Sequence, residues 1–164
     1  MTQTNRVGRG APGAGLGAAT LSVAFASALS ACGGGGGACD FDRALKQGAG
    51  AGAVDCGHVT VGASTAAVNQ CVADQTARAA PFYARYDVQG TDSSVAFGAV
   101  RAAQGQSSVW FFDSDPSGGS NVGGQVSRTL CGGDPPLQTD PDHSPLSAPV
   151  SCTTDVSTSV ICGG

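Results

Sequence analysis

Seven cysteines, two histidines and one short run rich in aspartate are the residues of this 164-residue chain whose types could do chemistry. The run is Asp113-Ser114-Asp115-Pro116-Ser117-Gly118-Gly119. Asp113, Asp115 and Ser117 take the first, third and fifth places of a Ca²⁺ loop, where alternate residues turn oxygens inward, and Gly118 takes the place that needs a sharp turn. The place of the closing bidentate Glu holds Gly124, and Pro116 stiffens the backbone. An ordinary turn after a strand uses the same residue types and is the favoured expectation, with Ca²⁺ held through Asp113, Asp115 and Ser117 as the alternative. His58 follows Cys56-Gly57, and His143 sits in Asp140-Pro141-Asp142-His143-Ser144-Pro145. Either imidazole is a candidate base for an envelope hydrolase, although the Gly-x-Ser-x-Gly elbow is absent. With no Cys-x-x-Cys and only two histidines, a redox centre or a zinc site lacks its usual ligand spacing.

Composition narrows the classes. The formal charge is −4 and the pI about 4.7, with charged residues only 12% of the chain. An acidic chain with eight basic residues is a poor ligand for phosphate backbones, so nucleic acid is not an expected partner. Aromatics are 5%, which points to a thin core. Seven cysteines in so short a chain point to an oxidising compartment.

The N-terminal segment carries its own pattern. Arg6 and Arg9 are the only charges before Asp40, and the apolar stretch runs from Leu16 to Leu29. That is the length of a signal-peptide apolar region and too short for a membrane span. Gly8-x-Gly10-x-x-Gly13 matches a dinucleotide loop but follows no strand, so it carries no weight. Leu29-Ser30-Ala31-Cys32 then resembles the lipobox of bacterial lipoproteins, with small residues before a thiol. The resemblance implies removal of residues 1–31, acylation of Cys32 and a lipid bilayer as partner. Gly33, where Asp would favour retention in the inner membrane, implies the outer membrane of the bacterial envelope. Gly33 to Gly37 form a loose tether whose five residues reach at most roughly 18 Å.

Residues 39–164 are expected to form one small α+β domain, with one or two helices packed on an antiparallel meander of three to five strands. Phe41, Ala44 and Leu45 share a helical face from Asp40 to Lys46, and Gly48 to Ala53 looks like a flexible connection. Ser64 is the expected cap of a second helix carrying Val68, Cys71, Val72, Gln75 and Ala79, with Asp74 and Arg78 paired on its wet side. After Pro81 the period falls to two, with Phe82, Ala84, Tyr86 and Val88 on one side of a strand. Val95, Phe97 and Ala99 form the inner side of the next. Ser108 to Asp113 is apolar on both sides, the mark of a strand covered twice, or of an aromatic face kept for a protein partner in the envelope. Gln125 to Leu130 is a weaker strand, Gly132 to Pro149 a loop, and Val150 to Ile161 a last strand.

With Cys32 acylated, Cys39, Cys56, Cys71, Cys131, Cys152 and Cys162 remain as disulfide candidates. Three precede the meander and three follow it. If all pair, an odd number of bridges must span the sheet. The shortest such loop, Cys71 to Cys131, would stabilise by roughly 4 kcal/mol in the chain-entropy model. Asp55-Cys56-Gly57, Pro81-Phe82-Tyr83, Gln89-Gly90-x-Asp92-Ser93 and the Asp113 run also look loosely like small bacterial lipoproteins of no assigned activity. The expectation is a noncatalytic binding or envelope-structural module with no cofactor.

Overall fold

The computed structural model describes residues 39–118, 124–141 and 146–163. Among them the order is α1 (Phe41–Ala49), β1 (Val54–Val59), α2 (Ala66–Ala77), β2 (Phe82–Val88), β3 (Val95–Arg101), β4 (Ser107–Asp113), β5 (Gln125–Thr139) and β6 (Val150–Cys162). The strands lie side by side in chain order in one sheet. β2 to β6 are antiparallel neighbours, and β1 pairs parallel to β2 with α2 as the crossover. The fold is α+β and stapled by disulfides, with six strands where three to five were expected.

The helices cover opposite faces of the sheet. On one face Val68 and Val72 of α2 pack with Phe82, Ala84, Tyr86 and Ala99. On the other, Phe41, Ala44, Leu45 and Ala49 of α1 pack with Ala96, Val100, Trp110 and Val126. The alternation in β2 is explained by this arrangement. In β4 Trp110 is buried on the α1 side, while Val109 and Phe111 on the other side are half-buried. β3 is likewise buried on both sides, so Ala96 and Val100 join Ala99 in the core. Asp40 caps α1 by accepting from the Arg43 N–H at 3.0 Å. α1 runs on through Gly48 and Ala49, past the expected boundary, because Gly48 lets the helix lie against Trp110. A Cβ there would stand 2.5 Å from the indole Cζ2.

Three local expectations change. The cap residue of α2 is Thr65, with Ser64 Oγ accepting from Ala66 N–H at 3.3 Å. Asp74 is engaged by Gln70 at 2.8 Å, and Arg78 ends the helix as its C-cap. The stretch from Gly132 to Thr139 is strand and not loop. β5 continues past Gly133, in the left-handed region at φ 93°, and delivers Leu137, with Val150 of β6, into the cluster around Phe82. The prolines sit where the β5–β6 register slips between Gly132 and Leu137, a place that tolerates a missing N–H.

Six cysteines pair as Cys39–Cys162, Cys56–Cys71 and Cys131–Cys152, with Cα separations of 6.0, 5.5 and 5.0 Å. One bridge spans the sheet, as parity requires, and it is the longest span available rather than the shortest. Cys39 precedes α1 and Cys162 ends β6, so the bridge encloses every described element. Closing that loop stabilises by about 5 kcal/mol in the chain-entropy model, against about 3 kcal/mol for each of the shorter two.

Candidate functional site

Ionisable side chains gather where β1, β2 and the start of α1 meet. Alternation in β2 sends Arg85 and Asp87 to the face opposite Ala84 and Tyr86. Arg85 Nε donates to Asp87 Oδ1 at 2.8 Å, and its Nη1 meets Asp42 Oδ1 of α1 at 3.0 Å. The guanidinium also lies 5.7 Å from the Phe41 ring centroid, and Phe41 stacks on Phe112. His58 of β1 lies across the parallel seam, where its Nε2 donates to Asp87 Oδ2 at 2.7 Å. Nearby, Tyr83 Oη donates to Asp55 Oδ2 at 3.0 Å, and Gly57 N–H donates to the other oxygen of that carboxylate.

The electrostatics are those of a matched network. Burial opposes the Arg85 charge, but the hydrogen bonds and fields of Asp42 and Asp87 outweigh it and raise its pKa. Partial burial, then the Asp55 carboxylate, raises the Tyr83 phenol above its ordinary value. Beside Arg85 and Asp87 lies a cleft of about 260 Å³ whose other walls include Gln89, Ser94, Val95 and Phe112. Its lining offers both donors and acceptors beside the apolar side chains of Val61, Val88 and Phe112.

His58 therefore has an orienting carboxylate, the first requirement of a base. A hydrolase also needs a nucleophile, either a side-chain hydroxyl or thiol or a water molecule, within reach of the second ring nitrogen. Among the described residues the hydrogen-bond partner of His58 is Asp87, and the described cysteines are all in disulfides. His143 lies outside the described residues, as does Cys32.

In the aspartate run, Asp113 closes β4 and its Oδ1 accepts from the Asp115 N–H at 2.9 Å. Gly118 N–H donates back to the Asp115 carbonyl at 3.2 Å, with Gly118 in the left-handed region. Ser117 is exposed in that turn. These are the bonds of an Asx turn followed by a backbone β-turn. Residues 119–123 of the loop lie outside the described residues. Among those described, no three His, Cys, Asp or Glu side chains are grouped so that they could hold a metal ion.

Of the described aromatic residues, Phe41, Phe82, Tyr86 and Trp110 are buried, while Tyr83, Phe97, Phe111 and Phe112 are half-buried. Tyr86 Oη donates to Asn69 Oδ1, and Trp110 Nε1 donates to Ser108 Oγ, so both polar tips are satisfied. Composition and motifs did not single out Arg85, Asp87 or Asp42. The spacing of Arg85 and Asp87 on one side of an alternating strand was the available signal, but their partners come from β1 and α1. No family model, no curated protein and no solved structure matches the chain.

Proposed function

We propose that the chain is a lipid-anchored, noncatalytic module of the bacterial envelope that works by binding. The pairing of the cysteines carries the reading. Seven thiols are present, six close on one another within residues 39–162, and Cys32 is the one these bridges leave over. It is also the thiol at the end of the lipobox-like run. No described helix is long and apolar enough to cross a membrane. The cleft beside Arg85 and Asp87 is the place this reading gives to a small polar ligand, because guanidinium and carboxylate are held there in fixed positions.

The intact mass of the chain recovered from bacterial membranes tests the anchor. Loss of residues 1–31 with a diacylglyceryl thioether on Cys32 is expected, and Cys32→Ala should move the protein from the detergent phase to the aqueous phase. A chain that retains Met1, or a Cys32→Ala variant that still partitions with detergent, overturns the reading.

A further inference from the structure

Among the described strands β6 ends the sheet, and its one neighbour there is β5. An edge strand presents unpaired N–H and C=O groups, and proteins usually guard such edges with lysine, proline or short length. From Ser151 to Cys162 β6 has neither lysine nor proline, and its one charge is Asp155. It also carries Val156 and Val160, which are 64% and 61% exposed. By contrast β1, at the other edge, is six residues long with an irregular register.

The sequence of the exposed run identifies what fits it. Val156-Ser157-Thr158-Ser159-Val160 reads the same in both directions about Thr158. An antiparallel pair of identical strands related by a two-fold axis at Thr158 places Thr158 opposite itself. Ser157 then faces Ser159 of the second copy, and Val156 faces Val160 twice. Each residue meets its own type, the exposed valines cover one another, and Asp155 falls opposite Ile161 instead of another carboxylate. Ser157 to Val160 run in unbroken register along Leu130 to Ser127, so this part of the edge is regular. Register slips flank this stretch on both sides, at Val156 and at Ile161. A foreign peptide is the poorer occupant, since strand addition gains its specificity from side-chain pockets, and neither described cleft is lined by β6.

We infer that β6 is a self-association edge, through which two copies of the chain pair antiparallel about Thr158 into one continuous sheet. The inference does not depend on the lipid anchor. Pairing of a single strand is a small interface, so the dimer forms reversibly and with concentration.

The test uses the full chain purified in detergent. A Thr158→Cys variant brings two thiols together on the axis, at the separation of an opposed strand pair, which suits a disulfide. It should oxidise to a covalent dimer at least ~10-fold faster than a Ser151→Cys variant, which lies on the same strand away from the axis. Adding Val156→Lys and Val160→Lys should abolish that advantage while circular dichroism and the three native bridges stay unchanged. Light scattering of the unmodified chain should show a dimer fraction that grows with concentration. Equal cross-linking rates for Thr158→Cys and Ser151→Cys, a monomer at every concentration, or cross-links from Thr158→Cys to a different polypeptide would each overturn the inference.

Discussion

The His58 imidazole reaches the Asp87 carboxylate at 2.7 Å across the parallel seam between β1 and β2. The opposite oxygen of Asp87 holds Arg85, and Arg85 holds Asp42 of α1. One half-buried carboxylate thus ties an edge strand and a helix to the same interior strand.

Removing that carboxylate should loosen both attachments. Asp87→Ala is expected to lower stability by about 1–2 kcal/mol, more than an exposed ion pair is worth and less than a fully buried one. Denaturant unfolding measures it. Asp42→Ala, which removes a more exposed partner, should cost under ~1 kcal/mol.

Tyr86 gives the chain an alkaline limit. Burial raises its phenol above the ordinary value of 10.0. The folded state then holds the proton more tightly than the unfolded state. Its contribution is complete below about pH 10 and is lost as pH rises from there through the folded value. Melting temperatures followed into alkali should fall in step with phenolate absorbance. Tyr86→Phe should flatten that fall, at a cost of about 1 kcal/mol or more at neutral pH for the Asn69 carbonyl it leaves unpaired.

Gly48 is a position where helix propensity and packing oppose each other. Alanine gains about 1 kcal/mol inside a helix. Here its methyl would meet an indole held by Ser108 at 2.9 Å and faced by Arg128. Gly48→Ala should therefore destabilise by up to about 2 kcal/mol net, since overpacking of a set core costs about 1–3 kcal/mol and the helix-propensity gain of about 1 kcal/mol offsets part of it. Thermal melting decides the sign.

The bridges should rank by the chain they enclose. Replacing Cys39 and Cys162 with alanine should cost about 5 kcal/mol, and replacing Cys56 and Cys71 about 3 kcal/mol. A marginal domain with a thin core should lose cooperative unfolding in the first case and keep it in the second. Calorimetry distinguishes the two.

Asp113 already spends one carboxylate oxygen on the turn that follows β4. Removal of divalent cations with a chelator should leave the melting temperature unchanged. Calorimetric titration with Ca²⁺ should be silent. A heat of binding abolished by Asp113→Asn and Asp115→Asn would establish the calcium loop.

Much of this architecture was legible where a single period governs a segment. The alternation from Phe82 to Val88 and the double-sided run from Val109 to Phe112 give β2 and β4, and the face of Phe41, Ala44 and Leu45 gives α1. Legibility failed where pattern and role diverge. Val54–Val59 has no apolar alternation, since Asp55, Gly57 and His58 interrupt it, and Gly57 adopts φ 107° beside a register shift. It is a strand because β2 offers a ladder and Cys56 is fixed to Cys71. The glycines and prolines after Cys131 look like a loop, yet tertiary packing of Leu137 keeps the chain extended. The Arg85 network was invisible for the same reason: two of its four members come from elements that only the fold brings alongside β2.

The covalent link from Cys39 to Cys162 also decides how the domain meets mechanical load. Tension between the backbone before Cys39 and the end of β6 passes from sulfur to sulfur, and the helices and strands between them lie off that path. Whatever tugs on the leading segment therefore strains a chemical bond while the hydrogen-bonded sheet feels little. A pulling experiment along that axis should show no unfolding extension until the bridge is reduced.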